Sequence, residues 1–202
     1  MKNVILAKSA GFCFGVKRAV NMVYEEVENS KESGVNTPIY TYGPIIHNDE
    51  VVKDFASKGV TLVKELDELK SLKKGKIIVR SHGISRAEYE EIQSYGFEVV
   101  DATCPFVRKI HKLVDEHSKL GEYIVIIGNP NHPEVCGIRG WVNGDSVSII
   151  ESKEDALDFS ENDGKTVCIV SQTTFNYNKF QELVEKKKKK EYNVIVLNTI
   201  CN

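Results

Sequence analysis

The chain has 202 residues, 41% hydrophobic and 28% charged, enough for one large or two small domains with a sizeable core and unlike a disordered chain. Its 27 basic and 29 acidic residues leave a net charge of −2, so no one-signed field argues for nucleic acid or an acidic membrane surface as the main partner. No apolar stretch approaches the ~18 residues of a membrane span, and Lys8 breaks the N-terminal run too early for a signal peptide, so a cytoplasmic location is expected.

In chain order, short β-branched runs predict strands over 4–7, 38–42, 61–63, 76–79, 98–100, 123–127, 147–150, 166–170 and 193–197. Apolar residues at three- and four-residue spacing predict helices over 15–30, 86–95, 106–120 and 177–190; Val107, Ile110, Leu113 and Val114 are an example. Strands alternating with helices argue for α/β units around mostly parallel sheets.

Two stretches then repeat. The first reads YGPIIHNDEV, GVTLVKELDEL, GKIIVRSHGIS and FEVVDATC; the second reads IGNPNHPEVC, DSVSIIESKEDAL, GKTVCIVSQTTFN and NVIVLNTIC. Gly43 and His47 match Gly128 and His132, Asp49 matches Glu134, His82 matches Gln172, and Cys104 matches Cys201. This is an internal duplication. The pattern of strand, cysteine, helix start occurs three times, at Cys13, Cys104 and Cys201, about one repeat length apart. If equivalent units pack around a common centre, these three cysteines converge there, at strand carboxyl ends where open α/β sheets bind ligands. Pro105 suits a first helical turn, and a helix N-terminus favours a thiolate or an anionic cluster.

Five cysteines, odd in number and far apart, make structural disulfides an unlikely framework. Cys168 lies in an apolar strand and Cys136 has no counterpart in the other repeat, so both read as packing residues. A structural zinc site lacks the local Cys-x₂₋₄-Cys spacing. A Cys-x₅-Arg phosphate loop fails because Arg18 and Arg108 come too early, and the Pro-Cys-x-x-Cys half of a deaminase zinc signature is missing. An iron–sulfur cluster fits better, because its thiolates can come from distant segments; three on four irons leave one iron open to substrate.

His47, His82 and His132 each follow a predicted strand, and three imidazoles near one centre would offer N–H donors to a phosphate-type group. They could also bind a metal. His111 and His117 lie in a helical stretch, where solvated or packing roles are expected. Glu134 is the candidate general acid, with a loop salt bridge as the plain alternative. The hydroxyls of Ser171-Gln172-Thr173-Thr174 are expected to face the same centre, or to form an ordinary turn or cap. The 186–190 lysine run reads as a solvated helix end.

GFCFGVKRA, His47-Asn48, SHG at 81–83, DATCP at 101–105, NHPEVCG at 131–137, SQTT at 171–174 and the final Ile200-Cys201 together resemble the 4-hydroxy-3-methylbut-2-enyl diphosphate reductases, which act last in the non-mevalonate isoprenoid pathway. The resemblance covers essentially the whole chain, and about two of the family's three domains. It implies three α/β units in pseudo-threefold array around a central cavity: 1–104 as the first unit, 105–200 as the second and 201–202 as the threshold of a third. It implies a 4Fe-4S cluster held by Cys13, Cys104 and Cys201, a substrate diphosphate held by His47, His82 and His132, Thr173 near the substrate hydroxyl, and Glu134 as proton donor. The partners implied are an allylic diphosphate and a ferredoxin- or flavodoxin-type electron donor. Two other readings stay open: a truncated relative that only binds phosphate or metal, and a cysteine-based thiol enzyme.

Overall fold

A computed structural model describes residues 4, 5, 7, 10–159, 164–188 and 193–201. Two four-stranded sheets organise it. The first holds β1 (Ile39–Tyr42), β2 (Val60–Val63), β3 (Lys76–Val79) and β4 (Glu98–Asp101) in the order β2-β1-β3-β4. The second holds β5 (Tyr123–Ile127), β6 (Val147–Ile150), β7 (Val167–Ser171) and β8 (Val194–Val196) in the matching order β6-β5-β7-β8. Every pairing is parallel, so all eight strands point their carboxyl ends to one edge of their own sheet. The duplicated sequence is therefore a duplicated topology.

Parallel strands need crossovers, and those cover both faces. In the first sheet Ile39 and Ile78 pack on one face against Ala19, Val23 and Val27 of α1 (Phe14–Glu32) and Phe55 of α2 (Asp49–Ser57). Tyr40, Ile77 and Val79 alternate to the other face, against Ile92 of α3 (Arg86–Ser94). In the second sheet Ile124, Ile126, Cys168 and Val170 face α4 (Pro105–Lys119) and α5 (Pro133–Arg139). Val125, Ile127 and Ile169 face α6 (Lys153–Asp158) and α7 (Tyr177–Lys188). The expected buried strands follow from this double coverage.

Helix starts follow local chemistry. Asn48 accepts from Val51 N at the start of α2, while Ser85 with Glu88 and Ser152 with Asp155 form capping boxes before α3 and α6. The sequence reading did not list α2, α5 or α6, which are short, nor the 3₁₀ turn at Leu66–Lys70.

One expected element differs. Among the described residues of 4–7, Val4, Ile5 and Ala7 form no strand, and Val4 and Ile5 are over 90% exposed; Leu6 lies outside the described residues. Their β-branched pattern has no neighbouring strand to pair with here, and an isolated strand is not stable in water. Residues 189–190, at the end of the expected last helix, also lie outside the described residues.

Ile126 is fully buried between Ile149 and Val170 in neighbouring strands. Ile126→Ala is expected to cost about 2–5 kcal/mol in a urea melt, the scale of a core cavity.

Candidate functional site

The carboxyl edges of both sheets supply the candidate residues. Cys104 follows β4 as N-cap of α4, with its N–H donating to Ser81 O at 2.9 Å. Cys13 is the N-cap of α1. Gly15, in the first turn of α1, lies where an added Cβ would be 2.5 Å from Cys104 Sγ, so a side chain there is excluded and the two helix starts meet. Arg18 spans the same junction, donating to Thr103 O at 3.2 Å. Cys201 is tied down by its N–H to Thr173 O at 2.7 Å, and Thr199 Oγ1 donates to Ser171 O and accepts from Ser171 N, both at 2.8 Å.

The result is one cavity of about 130 Å³ whose lining includes Cys13, Cys104, Cys201, His82, Glu134 and Thr173. All the cysteines are free. The Cys201 thiol is pushed up by burial and by the nearby Cys104, Cys13 and Glu134. Thiols held together in this way favour either protonation or a shared positive centre.

Glu134 is 3% exposed and reaches the cavity from the first turn of α5. Its Oε1 accepts from Thr173 N at 2.6 Å and its Oε2 from Thr173 Oγ1 at 2.8 Å. Burial raises its carboxyl above the usual range, against the pull of those two donors. A loop salt bridge is thus not its role.

The three histidines converge beside the cavity. Ring centroids lie 4.8 Å apart for His47–His82, 5.4 Å for His82–His132 and 6.4 Å for His47–His132. Burial, then the neighbouring imidazoles and Arg80, push His82 down to about 4; burial and His47 lower His132. Both rings are therefore neutral at neutral pH with nothing bound. His132 Nδ1 accepts from Glu134 N at 3.1 Å, which assigns its proton to Nε2. His82 Nδ1 is buried with no partner among the described residues, a cost that a ligand oxygen would remove.

Sequence reasoning missed the support behind His82. Trp141 Nε1 donates to Ile84 O at 2.8 Å, Arg80 Nε to Gly83 O at 3.2 Å, and Ser81 Oγ to Ile45 O at 2.8 Å. Gly83 has φ +75°, and a Cβ there would sit 2.6 Å from His111 Cε1. His111 stacks on Trp141, centroids 5.3 Å apart at 14°, buried as the packing reading expected. The single tryptophan of the chain was the available signal.

Other expectations resolve less uniformly. Gln172, the repeat counterpart of His82, accepts from Asn129 N at 3.2 Å through its Oε1. Thr173 and Thr174 line the cavity, whereas Ser171 turns to Thr199. Cys168 is fully buried, as expected of packing. Cys136 is not: it is exposed, on the outer side of α5, where the helix period turns it away from Val135 and Ile138.

A protein-family model described as LytB protein matches residues 4–202. The chain belongs to the LytB family. A relative from Caldanaerobacter subterraneus subsp. tengcongensis, named 4-hydroxy-3-methylbut-2-enyl diphosphate reductase, is 45% identical over 201 residues, covering 98% of this chain and 67% of its own. The solved structure of the Plasmodium falciparum E-1-hydroxy-2-methyl-but-2-enyl-4-diphosphate reductase matches with TM-score 0.86 and 30% identity, over 96% of this chain and 59% of that one. A second solved (E)-4-hydroxy-3-methyl-but-2-enyl diphosphate reductase, described as the terminal enzyme of the non-mevalonate pathway, matches with TM-score 0.81 and 37% identity, over all of this chain and 69% of that one. This LytB chain thus spans roughly two thirds of its relatives' length. Two parallel α/β sheets are the fold it shares with them.

Because the folded state holds the Glu134 proton more tightly than the unfolded chain, the group favours folding at low pH and loses that contribution as pH rises through its raised value. The urea midpoint of Glu134→Gln minus that of the parent chain is expected to grow with rising pH. A pH-independent offset would contradict the raised carboxyl.

Proposed function

We propose that this chain forms two units, 1–104 and 105–200, of a reductase that removes the allylic hydroxyl of 4-hydroxy-3-methylbut-2-enyl diphosphate to give isopentenyl and dimethylallyl diphosphate. The observation that carries the reading is the single cavity lined by Cys13, Cys104 and Cys201 together with buried Glu134. The residues fit a 4Fe-4S cluster: three free thiols, no disulfide among them, and a glycine cradle at Cys104. When bound, such a cluster would relay two electrons one at a time from an external donor and supply a Lewis-acidic site for the leaving oxygen.

The chain's own side chains do the rest. His47, His82 and His132 receive the diphosphate. Its negative charge raises the lowered imidazoles, so protons are taken up on binding and the hydrogen bonds become charge-assisted. Thr173 Oγ1 bridges the substrate oxygen and Glu134 Oε2. Glu134, whose carboxyl burial makes easier to protonate, then donates from Oε2 to Thr173 Oγ1, reversing that hydrogen bond, while the hydroxyl gives its own proton to the leaving oxygen as the C–O bond breaks. With two electrons and two protons entering, water leaves and the second proton ends on carbon. A ferredoxin- or flavodoxin-type protein is the electron source, the location is the cytoplasm, and a third unit beginning at 201–202 completes the pseudo-threefold array. No helix is long and apolar enough to cross a membrane among the described residues.

Anaerobic reconstitution with iron and sulfide tests the thiols: Cys104→Ser is expected to abolish visible iron–sulfur absorption and Cys168→Ser to preserve it. Equal loss in both would overturn the ligand set. For the histidines, His82→Asn is expected to weaken inorganic pyrophosphate binding about tenfold or more by calorimetry, the scale of one charge-assisted hydrogen bond.

A further inference from the structure

A second cluster of metal-ligating groups lies outside the cavity just described, on the sheet face under α4. Strand alternation puts Glu122 on the same face as Ile124 and Ile126, and Ile124 is the register partner of Cys168 in β7. On α4, His117 falls one turn beyond Val114, which packs on that face. The loop back to the sheet is short, with Glu122 N donating to His117 O at 3.2 Å. Three chain segments therefore deliver an imidazole, a carboxylate and a thiol to one point. One ligand atom from each lies within 4.8 Å of the others, and His117 Nδ1 is 2.5 Å from Glu122 Oε2.

We propose that His117, Glu122 and Cys168 form a zinc site. The donor set is zinc's own, and the thiolate disfavours magnesium and calcium. Bonds of about 2.0–2.3 Å place tetrahedral ligand atoms about 3.5 Å apart, so His117 Nδ1 and Glu122 Oε2 give up their hydrogen bond and separate by about 1 Å, while the widest pair closes by about as much. Charge also balances: one thiolate and one carboxylate neutralise a divalent ion, which suits a site this buried. The ion has an entry path, since the His117 and Glu122 side chains are 18% and 16% exposed while Cys168 is fully buried. Burial, then the Glu122 charge, push the Cys168 thiol up to about 12, so it is protonated in the metal-free chain. Binding replaces the S–H bond by S–Zn and releases that proton to solvent. The site ties the last turn of α4 to β5 and β7. The same helix begins at Cys104, at its other end.

The exposed thiols and the histidine trio also attract zinc, so every measurement is made on the chain carrying His82→Asn and with the exposed thiols capped. Treating the native chain with iodoacetamide caps the accessible cysteines and spares Cys168, which mass spectrometry verifies by a further adduct after unfolding. Zinc is then added. The expected result is X-ray absorption with one sulfur per zinc at about 2.3 Å, and a zinc-dependent rise in melting temperature. Cys168→Ser is expected to lose the sulfur shell and weaken binding about tenfold or more; Glu122→Gln, which leaves the core thiol in place, is expected to keep the sulfur and lose affinity similarly. A nitrogen and oxygen shell alone in the capped parent chain, or zinc affinity unchanged in both variants, would overturn the proposal.

Discussion

Parallel pairing forces every strand of a sheet to end at the same edge, and the site depends on that constraint. Cys104 follows β4, Cys201 follows β8, His47 and His82 follow β1 and β3, and His132, Glu134 and Thr173 follow β5 and β7. None of these side chains needs a long excursion to meet the others. The burial of Ile, Val and Tyr on both faces fixes the strands, and the strands fix where the loops emerge.

Alignment at an edge brings groups near; close packing at helix starts sets their distances. Gly15 lets the first turn of α1 approach the Cys104 thiol, and Gly83 lets the His82 loop settle on His111. Each is a position where one added carbon meets an atom already in place. The loop between β3 and α3 is further held by Trp141, which donates to Ile84 O and stacks on His111, so the segment that carries His82 packs against the one that follows Glu134. Thr173 completes it by holding both oxygens of Glu134, which orients the carboxyl while burial, against those donors, raises its hold on a proton.

The electrostatics of the two halves differ for a physical reason. His82 and His132, crowded and partly dry, have lowered pKa values, so an anion bound beside them would draw protons onto them. Glu134 is buried with only neutral donors, so it is protonated more readily than an exposed glutamate. Both shifts follow from burial first and from neighbours second, and both favour the protonation states that the proposed reaction uses.

The sequence by itself determined the α/β class, the duplication and the strand-end positions of the cysteines and histidines it singled out after β1, β3, β4, β5 and β8. Those depend on apolar periodicity and on residue types recurring at one repeat length, which are local properties. The shortest helices, α5 and α6, escaped it because two turns carry too little period to detect. It also placed a strand at 4–7 from composition alone, whereas a strand exists only where a partner offers its backbone. Tertiary structure alone decided that Cys136 faces outward while Cys168 is enclosed, that Gln172 bonds to Asn129 N, and that His111 and Trp141 brace the loop of His82. It also decided that His117, Glu122 and Cys168 meet under α4. Such meetings depend on register and helix phase between segments far apart in the chain, which no residue pattern within either segment encodes.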